Sequence, residues 1–231
     1  MKKIKISAEL TYVLAILILS FSVAMISCTD FGLSMIVSPA YILSQKLGFL
    51  TFGQSEYVIQ GILFVLFCIL MKKIKAVYFS AFITGLIYGA VLDLWRLVIP
   101  HFNPAVTAPG ALPMGLKILY FVLGMTLTSL SIAMFYRTYF YPQVYDFFVK
   151  GVSEKYQLDR NKFKIGFDAV FLMISVGMTL FLFRKFVGVG IGTVIMTCLN
   201  GLLIGFFGKQ LDRCFEFFPR LPKFAKQFDI T

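Results

Sequence analysis

The side chains able to do chemistry are few and scattered. His101 is the one histidine, and Cys28, Cys68, Cys198 and Cys214 form no CxxC pair and no metal-ligand spacing. No Ser/His, Cys/His or multi-histidine set is present, so the reading is a non-enzyme with no catalytic residue, no cofactor and no metal. What remains is a handful of ionisable and polar groups set in apolar sequence: Glu56, Gln60, Asp93, Arg96, Asp168 and Asn200. Charges in such surroundings are costly, and they are paired or functional. Asp93 and Arg96, at i and i+3, are spaced for an ion pair, with Trp95 beside them as an interfacial aromatic. Glu56 and Asp168 each fall in the first turn of an apolar stretch, where an acid suits the positive end of a helix. The alternative is that they are polar gates, one near each face, binding a cation or proton coupled to solute movement. Gln60 and Asn200 are expected to turn from lipid into the interior of a bundle.

The elements that carry these groups follow from composition. Of 231 residues, 59% are hydrophobic and 14% charged, with mean hydropathy +0.85. Soluble domains run near about 45–50% apolar and about 25% charged, so a soluble fold is excluded. Six stretches approach the roughly 20 apolar residues that cross a bilayer. They run from Leu10 to Ser27, Phe52 to Met71, Val77 to Ile99, Ile118 to Tyr136, Ile165 to Phe183 and Gly190 to Gly208. The expectation is an all-α polytopic membrane protein, one membrane domain over residues 1–231.

The net charge of +11 supports this layout, because the basic residues sit in clumps between spans. With six crossings, 17 of the 22 Lys and Arg fall on the side of the N-terminus, among them Lys2, Lys3 and Lys5, and Lys72, Lys73 and Lys75. Positive-inside bias then puts both termini in the cytoplasm, with the basic clumps against anionic headgroups and no nucleic-acid partner. Lys2, Lys3 and Lys5 ahead of an apolar run imitate a signal peptide, but no A-x-A-type site follows, so the first helix is expected to stay.

Two ordered self-similarities divide the chain. Ser20-Phe21-Ser22-Val23-Ala24-Met25 returns as Ser129-Leu130-Ser131-Ile132-Ala133-Met134, and Thr84-Gly85-Leu86-Ile87-Tyr88-Gly89 as Asn200-Gly201-Leu202-Leu203-Ile204-Gly205. Repeat one covers about 8–100 and repeat two about 113–210, with 211–231 as a cytoplasmic amphipathic tail. Three spans per half is an odd number, so the halves are of opposite orientation, a 3+3 inverted repeat. Gly85 with Gly89 and Gly201 with Gly205 are small-xxx-small faces. Their equivalence predicts that spans three and six pack against each other.

Between spans lie segments that suit neither lipid nor water. Asp30 to Leu47 is interrupted and half-apolar, and Ser38 before Pro39 reads as an N-cap opening a short re-entrant or interfacial helix over about Pro39 to Leu47. Its first turn faces Asp30 to Ser34, a place for an anion or carboxylate. Pro142 to Tyr156 is amphipathic and expected on the headgroups, as is the tail from Cys214 to Phe228. Gly188-Val189-Gly190-Ile191-Gly192-Thr193 has no strand before it and no acidic partner after it, so it is not a nucleotide fingerprint. It reads as a tight entry into span six, capped by Thr193.

Asp30-Phe31-Gly32 with Ser34 and Pro39, Thr51-Phe52-Gly53, and Gly190-Ile191-Gly192-Thr193 followed by Asn200-Gly201 and Gly205 together resemble the YitT/YczE-type family of small bacterial membrane proteins. The resemblance runs from about Leu10 to Gly208 and implies a multi-pass protein of the bacterial plasma membrane, without bringing a substrate or a functional residue set. Three readings stand: a small-solute transporter with its site between the repeats, a substrate-binding membrane subunit of a multi-component importer, and a non-transporting scaffold or regulator. The expected partners are the lipid bilayer, an unknown small solute, and either a second copy or an energising partner.

Overall fold

In the computed structural model the described residues are 3–72, 75, 78–108 and 110–226; Lys2, Lys73, Val77 and Phe228 lie outside them. Along the chain run β1 (Ile4–Ser7), α1 (Ala8–Ser27), α2 (Ser38–Leu47), α3 (Phe52–Met71), α4 (Tyr78–Val98) and α5 (Met114–Phe135). Then come α6 (Val144–Lys155), α7 (Arg160–Phe183), α8 (Ile191–Cys214), β2 (Phe215–Phe218) and α9 (Pro222–Ala225). Six of these, α1, α3, α4, α5, α7 and α8, are long and apolar enough to cross a membrane, and they make this an integral membrane protein.

Local signals set most helix starts. Ser7 Oγ accepts from the Leu10 amide at 3.2 Å to open α1. Thr51 and Gln54 form a reciprocal capping box at α3, at 3.1 and 3.0 Å. Asp159 accepts from the Lys162 amide at 2.8 Å, so α7 begins five residues before the expected Ile165. Only the apolar part of that helix registers in hydropathy; its charged first turn does not.

Helices α1 and α5 form the central seam. There Ser22 Oγ meets Thr128 Oγ1 at 2.8 Å, and the Ser131 hydroxyl donates to the Ala15 carbonyl at 2.6 Å. Both serines belong to the first repeated motif. Helix α4 flanks α1, and α8 flanks α5. A second core gathers aromatic side chains of α3, α6 and α7, including Phe67, Phe147, Phe148 and Phe167.

Four expectations are corrected. Spans three and six make no extended contact, because each flanks a different helix of the seam. Gly85 and Gly89 instead receive α3: a Cβ at Gly85 would run into Gln60 Oε1, and one at Gly89 into Tyr57 and the Gly53 carbonyl. Gly201 and Gly205 face open space. Helix α6 is not spread on headgroups, since Val144, Tyr145, Phe147, Phe148, Val149 and Val152 are all buried between α3 and α7. The tail, expected on the headgroups, also enters the fold, because Phe215–Phe218 pairs in parallel with Ile4–Ser7. Glu9 strengthens that clamp by accepting from the Arg220 and Leu221 amides at 3.1 and 3.0 Å, and from the Tyr139 hydroxyl at 2.8 Å. Finally, Val37 rather than Ser38 caps α2. The Ser38 hydroxyl donates to the Gly188 carbonyl at 2.9 Å.

The two glycine pairs are thereby distinguishable. Gly89→Leu forces α3 off α4, an overpacking cost of about 1–3 kcal/mol, and is expected to lower the melting temperature of the detergent-purified protein by several degrees. Gly205→Leu is expected to leave it within about 1–2 °C, since the added side chain meets open space.

Candidate functional site

Helices α2 and α6 are broken-off half-helices whose first turns lie inside the bundle. Each runs beside a long helix of the other half. Lys46, near the end of α2, donates to the Leu182 carbonyl of α7 at 3.1 Å; Lys155, ending α6, donates to the Leu70 and Met71 carbonyls of α3 at 2.8 Å. The segment entering α2 and the first turn of α6 line one chamber of about 80 Å³. Ser34 and Val37 border it just before α2, Gln143, Tyr145 and Asp146 at the start of α6, with Tyr88 of α4, Thr128 of α5 and Met196 of α8 completing a mainly apolar wall. Helix N-termini carry partial positive charge and unpaired N–H groups. Two buried polar atoms on this wall, Gln143 Nε2 and the Tyr88 hydroxyl oxygen, have no hydrogen-bond partner in the protein. A solute presenting an acceptor group would satisfy both.

The chamber shares Phe135, Pro142 and Asp146 with a vestibule of about 510 Å³ at the end of the molecule where the termini pair. Lys150, Arg160, Asn161 and Lys164 line the vestibule, and Ala225 of α9 sits on its rim. The Asp146 charge pushes the half-exposed Tyr136 hydroxyl on that wall up, and burial does the same for Tyr145.

On the opposite side two glycine-bearing turns interlock. The Leu33 amide donates to the Gly188 carbonyl at 3.0 Å and the Gly192 amide to the Phe31 carbonyl at 2.8 Å. Gly32 has φ +97°, and a Cβ there would strike Gly190 N and Thr193 Oγ1. Thr193 Oγ1 accepts from the Gly190 amide at 3.2 Å, so it caps α8 as expected, from the third residue of the helix. Asp30, with φ 60°, is exposed beyond this clasp, beside Gly110 and Lys117 rather than in the chamber.

The remaining candidates separate. Glu56 and Gln60 are fully buried, and Glu56 Oε2 accepts from Gln60 Nε2 at 3.1 Å and the Tyr145 hydroxyl at 2.9 Å. Capping does not explain Glu56, because Thr51 and Gln54 already cap α3. Asp168 stands in the third turn of α7, not the first, with Lys164 at 3.5 Å, and Lys164 also reaches Asp146 at 3.6 Å. Asp93 and Arg96 form no ion pair within 4 Å. Asp93 instead holds the start of α3, accepting from the Gly53 amide at 2.8 Å and from the Thr51 hydroxyl. Arg96 lies over the Phe52 ring, 5.3 Å from its centre. Trp95 is half-buried, and its indole donates to Ser20 Oγ at 3.2 Å. Asn200 is half-buried rather than buried, accepting from the Ser129 hydroxyl at 3.4 Å. Tyr88, Gln143 and Tyr145 were not among the expected site residues. Only the Pro before Gln143 marked the break that aims α6 inward.

Asp93→Ala removes a charged acceptor from two donors. The expected cost is about 1.5–3 kcal/mol, read as a melting temperature several degrees below wild type.

Comparison with known proteins adds two findings. The chain is 28% identical over 212 residues to the uncharacterized protein YyaS of Bacillus subtilis (strain 168), an alignment covering 88% of this chain and 94% of that protein. No solved structure matches. The YitT/YczE likeness rests on the quoted motifs alone; of their glycines Gly32, Gly190 and Gly192 serve the clasp and Gly53 the α3–α4 crossing, whereas Gly201 and Gly205 face open space. A family profile matches residues 6–209, and the chain belongs to that family, DUF6198, a family of unknown function.

Proposed function

We propose that this protein is a small-solute permease of the bacterial plasma membrane, with cytoplasmic termini and two inverted three-helix halves that meet at the solute chamber. The observation that carries the reading is the chamber: the entry to α2 and the first turn of α6, from different halves, border one small, mainly apolar space that holds two unpaired polar groups and adjoins a vestibule. Sites of secondary transporters are built in this way, at broken helices between repeats.

Several features support the inverted halves. Helix α1 packs with α4 as α5 does with α8, and α3 packs with α6 as α7 does with α2. The Lys46 and Lys155 contacts are counterparts. Helices α3 and α7 both end on a basic residue in the left-handed region, Lys72 at φ 53° and Arg184 at φ 55°, and the separation of these two equals that of Glu56 from Asp168. The halves differ in one respect: α3 is clasped onto the glycines of α4, whereas α7 stands off those of α8. Exchange of these two arrangements would close the vestibule and open the opposite side. A cysteine pair reports it: with the native cysteines replaced by serine, Ala169→Cys with Gly205→Cys is expected to cross-link in proteoliposomes in a solute-dependent manner.

Carboxylate-bearing solutes match the half-helix ends and the unpaired donors best. A thermal-stability screen of detergent-purified protein against small carboxylates, amino acids, amines and nucleobases is expected to yield a stabilising class, taken up by proteoliposomes. Tyr88→Phe or Gln143→Leu should weaken its apparent affinity about ten-fold, the worth of one buried hydrogen bond. Absence of both stabilisation and uptake across the panel removes the reading. The open Gly201–Gly205 face favours a second reading, a substrate-binding subunit that docks an energising partner there; co-purification of an ATPase module would select it. A scaffold leaves the unpaired polar groups of the chamber without a purpose.

A further inference from the structure

A carboxylate wholly enclosed among membrane helices is costly unless a cation neutralises it. Glu56 is 0% exposed in the second turn of α3, with α2, α4 and α6 packed against that helix. Its Oε2 is held by two neutral donors, the Gln60 amide and the Tyr145 hydroxyl. Its Oε1 has no partner in the protein. Two more buried oxygens without partners flank it: Gln60 Oε1, filling the hollow at Gly85, and the Tyr88 hydroxyl, on the residue one turn further along α4.

Among the described residues no side-chain cation pairs with Glu56; the ion pairs are Arg137–Asp212, Lys164–Asp146 and Lys164–Asp168. Titratable groups on the elements around α3 are Tyr41 and Lys46 of α2, Tyr78, Tyr88, Asp93 and Arg96 of α4, and Tyr145, Asp146, Lys150, Glu154 and Lys155 of α6, with Lys46 donating to the Leu182 carbonyl. Arg96 is stacked on Phe52, Lys150 on Tyr141, and Lys155 is spent on the Leu70 and Met71 carbonyls.

We propose that Glu56 is the anionic centre of a monovalent-cation site completed by Gln60 Oε1 and the Tyr88 hydroxyl, taking Na+ or a proton. The available donors are all oxygens, one of them charged, a set that suits a hard cation. Tyr145 and Tyr88 both line the solute chamber, and Tyr145 also donates to Glu56, so occupancy of the cation site is felt at the chamber wall. In its role as a coupling site the inference rests on the permease reading.

The test is the melting temperature of detergent-purified wild type and Glu56→Gln in choline chloride, NaCl and KCl, each at pH 8.5 and 5.5. A cation that binds the folded state raises its stability, here by on the order of 5 °C at saturation. A rise with Na+ at pH 8.5 that is lost in Glu56→Gln identifies an alkali cation. A rise on acidification without a Na+ effect, again lost in Glu56→Gln, identifies the proton. The same responses in both proteins, or none in wild type, overturn the proposal. Should Glu56→Gln not fold, carbodiimide labelling of wild-type Glu56 replaces it, read by peptide mass: slowing at high pH or by Na+ supports the site, and a rate indifferent to both overturns it. No solute is present in either assay. A cation response without solute uptake therefore leaves the site standing while the permease reading fails, and uptake without a cation response does the reverse.

Discussion

Inside a bilayer no water waits to satisfy a bare backbone group, so a helix can stop at mid-depth only where another part of the protein receives its ends. That constraint organises this molecule. The entries to α2 and α8 complete each other across the two parts of the chain: the Gly188 carbonyl takes the Leu33 amide and the Ser38 hydroxyl, and the Phe31 carbonyl takes the Gly192 amide. Lys46 and Lys155 in turn satisfy the last carbonyls of α7 and α3, where each long helix would otherwise end unpaired. The halves thus hold each other's defects, and the chamber is the space that this mutual repair leaves between them.

The polar groups near the chamber divide by what holds them. Asp93, Ser20, Ser22 and Thr193 are bound to partners that fix helices, and their chemistry is spent on the fold. Tyr88, Gln143 and Glu56 keep buried atoms without partners. Buried polar atoms are ordinarily satisfied, so the exceptions at Tyr88 and Gln143 on the chamber wall, and at Glu56 and Gln60 behind Tyr145, mark places where the fold departs from the most stable arrangement available to it.

Whatever depends on neighbours in sequence was readable beforehand. The start of α3 was legible because Thr51 and Gln54 cap it locally, and the short helix beginning near Pro39 because proline marks a first turn. The start of α7 was not, since Asp159 caps a charged turn that hydropathy does not count. Helix α6 defeated the pattern for a different reason: an amphipathic face looks the same whether it meets headgroups or the rings of Phe67, Phe167 and Phe171. The spacing of Asp93 and Arg96 does allow a pair, but the Gly53 amide, forty residues away, competes for the carboxylate and wins. Glu56 was found by its cost in apolar sequence, whereas Tyr88, Gln143 and Tyr145 could not be separated from ordinary core residues without the fold.

The parallel pairing of Ile4–Ser7 with Phe215–Phe218 also orders events in time. A ribosome delivers the first of these strands before any membrane helix and the second after all six. The opening segment therefore waits, edge unpaired, while everything between is inserted. Glu9 receives the Arg220 and Leu221 amides only then, and Ala225 reaches the vestibule rim only then. The mouth of the molecule is finished last, so a chain cut short in synthesis lacks its rim however well its helices have assembled.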